Sequence, residues 1–128
     1  MDESKIYKTF TDLEVWKKAR EYKKNIYQIV KLFPPVEKYR VEDQLIRSVR
    51  SIGSNISEGY GRFTYKDQLH FCIMSLGSLF ETYNHLIDAF DCLYITEEVL
   101  NEQKERTDEL EKLLNGYLAW LKKMSKNP

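Results

Sequence analysis

Between Gln44 and Arg62 the chain reads QLIRSVRSIGSNISEGYGR, and the spacing inside that run constrains the fold more than any other feature. Leu45, Val49, Ile52 and Ile56 recur at intervals of four, three and four residues, which draws one apolar stripe along a helix. The flanks of the stripe are polar. Gln44, Arg47, Arg50, Ser51, Ser54, Asn55, Ser57, Glu58 and Arg62 supply amide, hydroxyl, carboxylate and guanidinium groups. Asn55 and Glu58 stand three apart, and Glu58 and Arg62 four apart, so these three side chains can meet on one helix face. Gly59 and Gly61 loosen the backbone, which places a helix end near Gly61.

Three further helices follow from the same reasoning. Thr11 to Glu14 has the T-x-x-E form of a capping box, and Leu13, Val15, Trp16, Ala19, Tyr22, Ile26, Ile29, Val30 and Phe33 continue from it at helical spacing until Pro34 and Pro35 stop the run. The second helix starts between Val36 and Glu42. Thr64, with Asp67 three residues on, caps a long third helix from about Tyr65 to Leu93. There Leu69, Cys72, Ile73, Leu76, Leu79, Phe80, Tyr83, Leu86, Ile87 and Phe90 make one broad apolar arc, with Phe71, Met74 and Ala89 elsewhere. So wide an arc needs partners on more than one side, and a second subunit is the expected extra one. Ser75, Gly77 and Ser78 would let a neighbouring backbone come close. Thr96 caps the last helix, whose polar middle from Asn101 to Glu109 is expected to lie on the surface, with tight packing only from Leu110 to Leu121.

With 128 residues the chain suits one all-α domain spanning 1–128, with a short N-terminal arm over 1–10 and a frayed basic tail over 122–128. Twenty basic residues balance twenty acidic ones, so no global field draws the protein to nucleic acid or membrane. The distribution is uneven: residues 1–62 hold thirteen Lys and Arg against nine Asp and Glu, and residues 63–128 hold seven against eleven. Such a dipolar molecule can pair with its own copies, although chance imbalance on solvated faces explains the pattern equally simply. No apolar run is long enough for a membrane span, and the N-terminus lacks the apolar core of a signal peptide, so a cytoplasmic location is expected. Cys72 and Cys92 lie ~30 Å apart on one helix and read as reduced core thiols.

Catalysis is not the expectation. His70 and His85 are fifteen residues apart on one helix, roughly 22 Å, and neither has a second ligand at metal-binding spacing, so no metal or other cofactor is anticipated. The glycines after Ile56 are not followed by the Gly-Lys-Ser/Thr of a phosphate loop. Lys17, Lys18, Arg20, Lys23 and Lys24 crowd the polar side of the first helix. They form either a solvated face or a surface that neutralises nucleic-acid phosphates. Glu81, three residues after Ser78, is expected to reach the polar flank of the second helix, with Arg47 or Arg50 as its buried counter-ion.

In order and spacing, Phe10, Leu13, Trp16 and Ala19; Phe33 and Pro34; Gln44, Arg47, Ser51, Ile52, Asn55, Ile56, Glu58, Gly59 and Arg62; and Gly77, Ser78 and Glu81 carry a family pattern. The chain resembles the bacterial proteins first found as reading frames within intervening sequences of 23S ribosomal RNA genes, the S23 family. It departs from them at Gly53, where many members have proline. The resemblance implies an antiparallel up-and-down four-helix bundle that assembles as a homopentameric ring. It also implies an association with RNA through gene context, and similarity to accessory proteins of diversity-generating retroelements, which partner a reverse transcriptase. Two functions follow as expectations: a nucleic-acid or ribonucleoprotein accessory, or a protein–protein scaffold whose arginines are internal ion-pair partners.

Overall fold

Helix starts and stops are set by a few side chains. Thr64 Oγ1 accepts a hydrogen bond from the Asp67 N–H at 3.1 Å, and Thr96 Oγ1 does the same for Val99 at 3.2 Å, so both expected caps form. The capping box expected at Thr11–Glu14 does not. Asp12 reaches back one turn earlier, its carboxylate accepting from the N–H groups of Lys8 (2.9 Å) and Thr9 (3.3 Å), and closes a 3-10 turn over Phe10–Asp12. In the computed structural model, which describes residues 8–37 and 39–126, the helices are α1 (Glu14–Val30), α2 (Val41–Tyr60), α3 (Tyr65–Asp91) and α4 (Glu97–Lys126). The expected arm lies largely outside the described residues, as do 127 and 128, whereas Lys122, Lys123 and Lys126 belong to continuous helix.

Short connections force each helix antiparallel to the next. Consecutive helices pack side by side and α1 closes against α4, which makes an antiparallel up-and-down four-helix bundle. The inner positions keep a three-four spacing: Cys72, Ser75, Leu79, Thr82, Leu86 and Ala89 on α3, and Gln103, Thr107, Leu110, Leu114, Tyr117 and Leu121 on α4. Leu45, Val49, Ile52 and Ile56 complete the core from α2, as the opening run predicts. Burying each of these large side chains stabilises the fold by about 1.5–3 kcal/mol.

Two expectations about packing are corrected here. Ala89 lies in the core of α3, while Ile73 and Phe80, each 49% exposed, lie outside it together with Met74. The inner stripe admits Ser75 and Thr82, which an apolar count passes over. The polar middle of α4 is not a surface segment either. Gln103 is 1% exposed and Thr107 is buried, because α1 offers them partners: Tyr22 Oη lies 2.8 Å from Thr107 Oγ1, and Asn25 Nδ2 donates to Gln103 Oε1. Thr107 also donates to the Gln103 carbonyl at 2.7 Å when its hydroxyl turns inward along the helix.

Gly59 sets how closely α2 and α3 approach. A Cβ there would sit 2.8 Å from the Cβ of Phe71, closer than two such atoms can come. At the other end of α3, Leu93 has φ 64°, in the left-handed region. The Leu93 N–H donates to the Phe90 carbonyl and the Tyr94 N–H to the Ala89 carbonyl, both at 2.9 Å, which is the Schellman termination that normally takes glycine at the Leu93 position. A residue with a Cβ costs about 1–2 kcal/mol there. Cys92 caps the same end and is exposed, so only Cys72 is the core thiol expected for both.

Candidate nucleic-acid interface

The five α1 cations do not act as one group. Lys17 Nζ is 3.6 Å from Glu14, and Lys18 Nζ is 3.4 Å from Glu21 and 3.1 Å from Glu109 on α4. Hydrogen bonding to Glu109, with its charge and that of Glu21, holds the Lys18 ammonium above its usual range. Lys18 therefore faces α4 and is neutralised there. A small cleft beside it, lined by Glu21, Tyr22, Arg106 and Glu109, has an accessible volume of about 20 Å³, enough for one water.

Of the remaining three, Arg20 lies on the flank toward α2. Trp16 packs its indole over Gly53, where a Cβ would stand 3.7 Å from Nε1, and Phe10 meets the same ring edge-on at 5.3 Å. The Arg20 guanidinium lies over Trp16 at 5.9 Å. Lys23 and Lys24 follow Arg20 by three and four residues, on the same side of α1. Neither has a carboxylate partner among the described residues. From α2, Arg50 lies over the Tyr27 ring at 5.6 Å and donates from Nε to Tyr27 Oη at 2.8 Å. Arg20, Lys23, Lys24 and Arg50 thus form a cationic seam with Trp16 and Tyr27 set into it. In the sequence Trp16 reads as core and Tyr27 stands outside the apolar series of α1, so neither is marked there as part of this flank.

The polar flank of α2 is built differently from the expectation. Arg47 is 78% exposed and pairs with Asp43 at 3.1 Å, and Glu81 is exposed with His85 Nε2 as its 3.4 Å neighbour. Glu81 forms no buried ion pair with Arg47 or Arg50. The interior of the α2–α3 seam holds hydroxyl-bearing residues rather than guanidinium groups. Ser75 donates to the Ile52 carbonyl, Ser78 to Ser51 Oγ and Thr82 to Ser48 Oγ, each at 2.9 Å. Ser48 and Thr82 were missed because neither belongs to an apolar stripe. Asn55 donates to the Ser51 carbonyl (2.9 Å) and Oγ (3.0 Å) rather than meeting Glu58. Glu58 and Arg62 do pair, at 3.1 Å, with Arg62 also over Phe71 at 4.7 Å. Gln44 is exposed at the first turn of α2.

Chemically, these serines are hydrogen-bonded to one another, to neighbouring polar side chains or to main-chain carbonyls, and none is hydrogen-bonded to a histidine among the described residues. Burial pushes the Cys72 thiol up to about 12 and the Tyr22 phenol up to about 12, so neither is ionised near neutrality. Within the described residues no helix is long and apolar enough to cross a membrane.

A four-helix bundle with hydroxyl-lined seams and a cationic outer flank is thus the class of protein at hand. The chain belongs to the 23S rRNA-intervening sequence protein family, whose pattern matches residues 11–116. A crystal structure of a protein of unknown function from the S23 ribosomal protein family of Bacteroides thetaiotaomicron is similar to it, with a TM-score of 0.74 and 27% identity over 81% of this chain and 97% of that one. No curated protein matches.

Proposed function

We propose that this protein is a non-enzymatic, self-assembling binding module of the cytoplasm that contacts nucleic acid through the α1–α2 seam. The observation that carries this reading is the separation of the cations: Lys17 and Lys18 are held by carboxylates, while Lys23 and Lys24 have none among the described residues and share a flank with Arg20 and Arg50. Free cations on one flank neutralise phosphates without regard to sequence, and aromatic rings beside them favour bases that have left a stack.

Self-assembly is supported by the outer face of α3. Ile73, Met74 and Phe80 are exposed there, and Gly77 sits between them with nothing within 4 Å of where its Cβ would be. A mid-helix glycine with no neighbour costs about 1 kcal/mol and returns nothing within the subunit. Close approach of a second copy explains it, and the family resemblance makes a homopentamer the specific assembly to look for. The proposed partners are therefore the chain itself, RNA or DNA and, by the same resemblance, a reverse transcriptase.

The test is retention on labelled single-stranded RNA across a salt series. Affinity should fall linearly on a log–log plot, with the slope decreasing by about 0.7 for each of Arg20, Lys23, Lys24 and Arg50 changed to Gln. Absence of binding at low salt would leave the protein–protein scaffold, and an unchanged slope in the variants would move any contact to another surface.

A further inference from the structure

At the end of the bundle where α1 passes into α2 and α3 into α4, several local rules fail together. The two connections are tied by Phe33 and Tyr94, whose rings lie 5.5 Å apart, so they share one surface. Leu93 occupies the left-handed position of the α3 termination that favours glycine, and it holds its side chain 88% exposed. Leu32 and Val36 are exposed on the α1–α2 side of the same end. Asp88 and Asp91 stand in the last turn of α3, where the carbonyl ends of the helix already carry partial negative charge and a lysine or arginine is favoured. Glu97 and Glu98 follow across the corner. None of the four carboxylates has an ion-pair partner among the described residues. On the α1 side of this end, Lys31 donates to Gln28 at 3.2 Å, and Arg40 stands at the start of α2.

Leu93, Asp88 and Asp91 each weaken the isolated subunit without an ion pair inside it to offset them, whereas Glu97 and Glu98 suit the first turn of α4 and add their charge to the same surface. A glycine at 93 and a cation at 88 or 91 would serve the fold better. Local conflicts of this kind collect where a surface serves something outside the chain. We infer that this end of the bundle is a docking surface for a partner protein segment that carries apolar residues flanked by lysine or arginine, with Leu93 as the apolar knob and Asp88, Asp91, Glu97 and Glu98 as its charged surround. The apolar knob supplies the buried centre of the contact, and the carboxylates select the sign of the partner. This surface is separate from the α1–α2 seam and does not depend on nucleic-acid binding.

The probe is a synthetic amphipathic leucine–lysine peptide, compared with a leucine–glutamate peptide of the same pattern, each titrated into the full-length protein. Fluorescence anisotropy gives the affinity, and amide chemical shifts give the location. The expected result is saturable binding of the lysine peptide alone, with shifts confined to residues 31–40 and 88–98. Leu93→Asn keeps a residue that tolerates the left-handed backbone and removes the knob, and it should weaken binding about tenfold or more while the protein melts no lower. Asp88→Asn combined with Asp91→Asn should weaken it similarly. Equal binding of both peptides, undiminished binding by Leu93→Asn, or shifts at the α1–α2 seam would each overturn the inference. So would self-association through this end that Leu93→Asn abolishes without any peptide, which would assign the surface to a second copy instead.

Discussion

Tyr22 Oη and Thr107 Oγ1 lie 2.8 Å apart in the interior, joining helices separated by most of the chain. With the Thr107 hydroxyl donating to the Gln103 carbonyl, the buried Tyr22 phenol donates to Thr107 Oγ1. Replacing one partner should therefore cost more than replacing both. Tyr22→Phe and Thr107→Val are each expected to destabilise by about 1–3 kcal/mol, with the double variant well short of the sum, as measured by urea unfolding in a double-mutant cycle.

Stability should also fall in alkali, and its sign follows from the two buried acids. The Cys72 thiol is raised from 9.0 and the Tyr22 phenol from 10.0, both to about 12. Between those limits the unfolded chain has released protons that the folded one still holds, so stability is full below pH ~9 and declines as pH rises toward ~12. For Tyr22 alone the loss is about 3 kcal/mol. Denaturation midpoints from pH 8 to 11 should flatten in a Cys72→Ala, Tyr22→Phe variant.

Gly59 and Gly77 give opposite expectations for the same substitution. Gly59→Ala would force a Cβ against Phe71, so a loss of about 1–3 kcal/mol is expected from parting α2 and α3. Gly77→Ala meets nothing within the subunit and should raise its stability by about 1 kcal/mol. Sedimentation of the same variant reads the proposed assembly, which it should weaken.

Glu81→Gln should leave melting within about 0.5 kcal/mol of the parent, because the carboxylate is exposed and its neighbour is a 3.4 Å histidine. A loss of several kcal/mol would restore a buried partner for Glu81.

The bundle was legible in the chain because an apolar residue at every third or fourth position writes the inner stripe of a helix directly. Leu45, Val49, Ile52 and Ile56 illustrate this, and so do Thr64 and Thr96, whose caps depend only on residues three positions away. What could not be read is whatever depends on a residue far along the chain. Gln103 and Thr107 look like solvent-facing positions until α1 brings Asn25 and Tyr22 to them. Arg47 and Glu81 look like an interior pair by type, yet Asp43 and His85 stand one helical turn away and reach them first. The same holds for the α1 cations, whose spacing shows a crowded face but not that Glu109 of α4 removes Lys18 from it.

The placement of the two indoles has a practical outcome. Trp16 lies on the α1–α2 seam beneath a guanidinium, whereas Trp120 stacks on Tyr117 and meets Tyr65 edge-on where α3 begins. Exchanging one or the other for phenylalanine leaves a single tryptophan, which, excited at wavelengths where the tyrosines do not absorb, reports without any label on whichever seam a ligand or a neighbouring copy has disturbed.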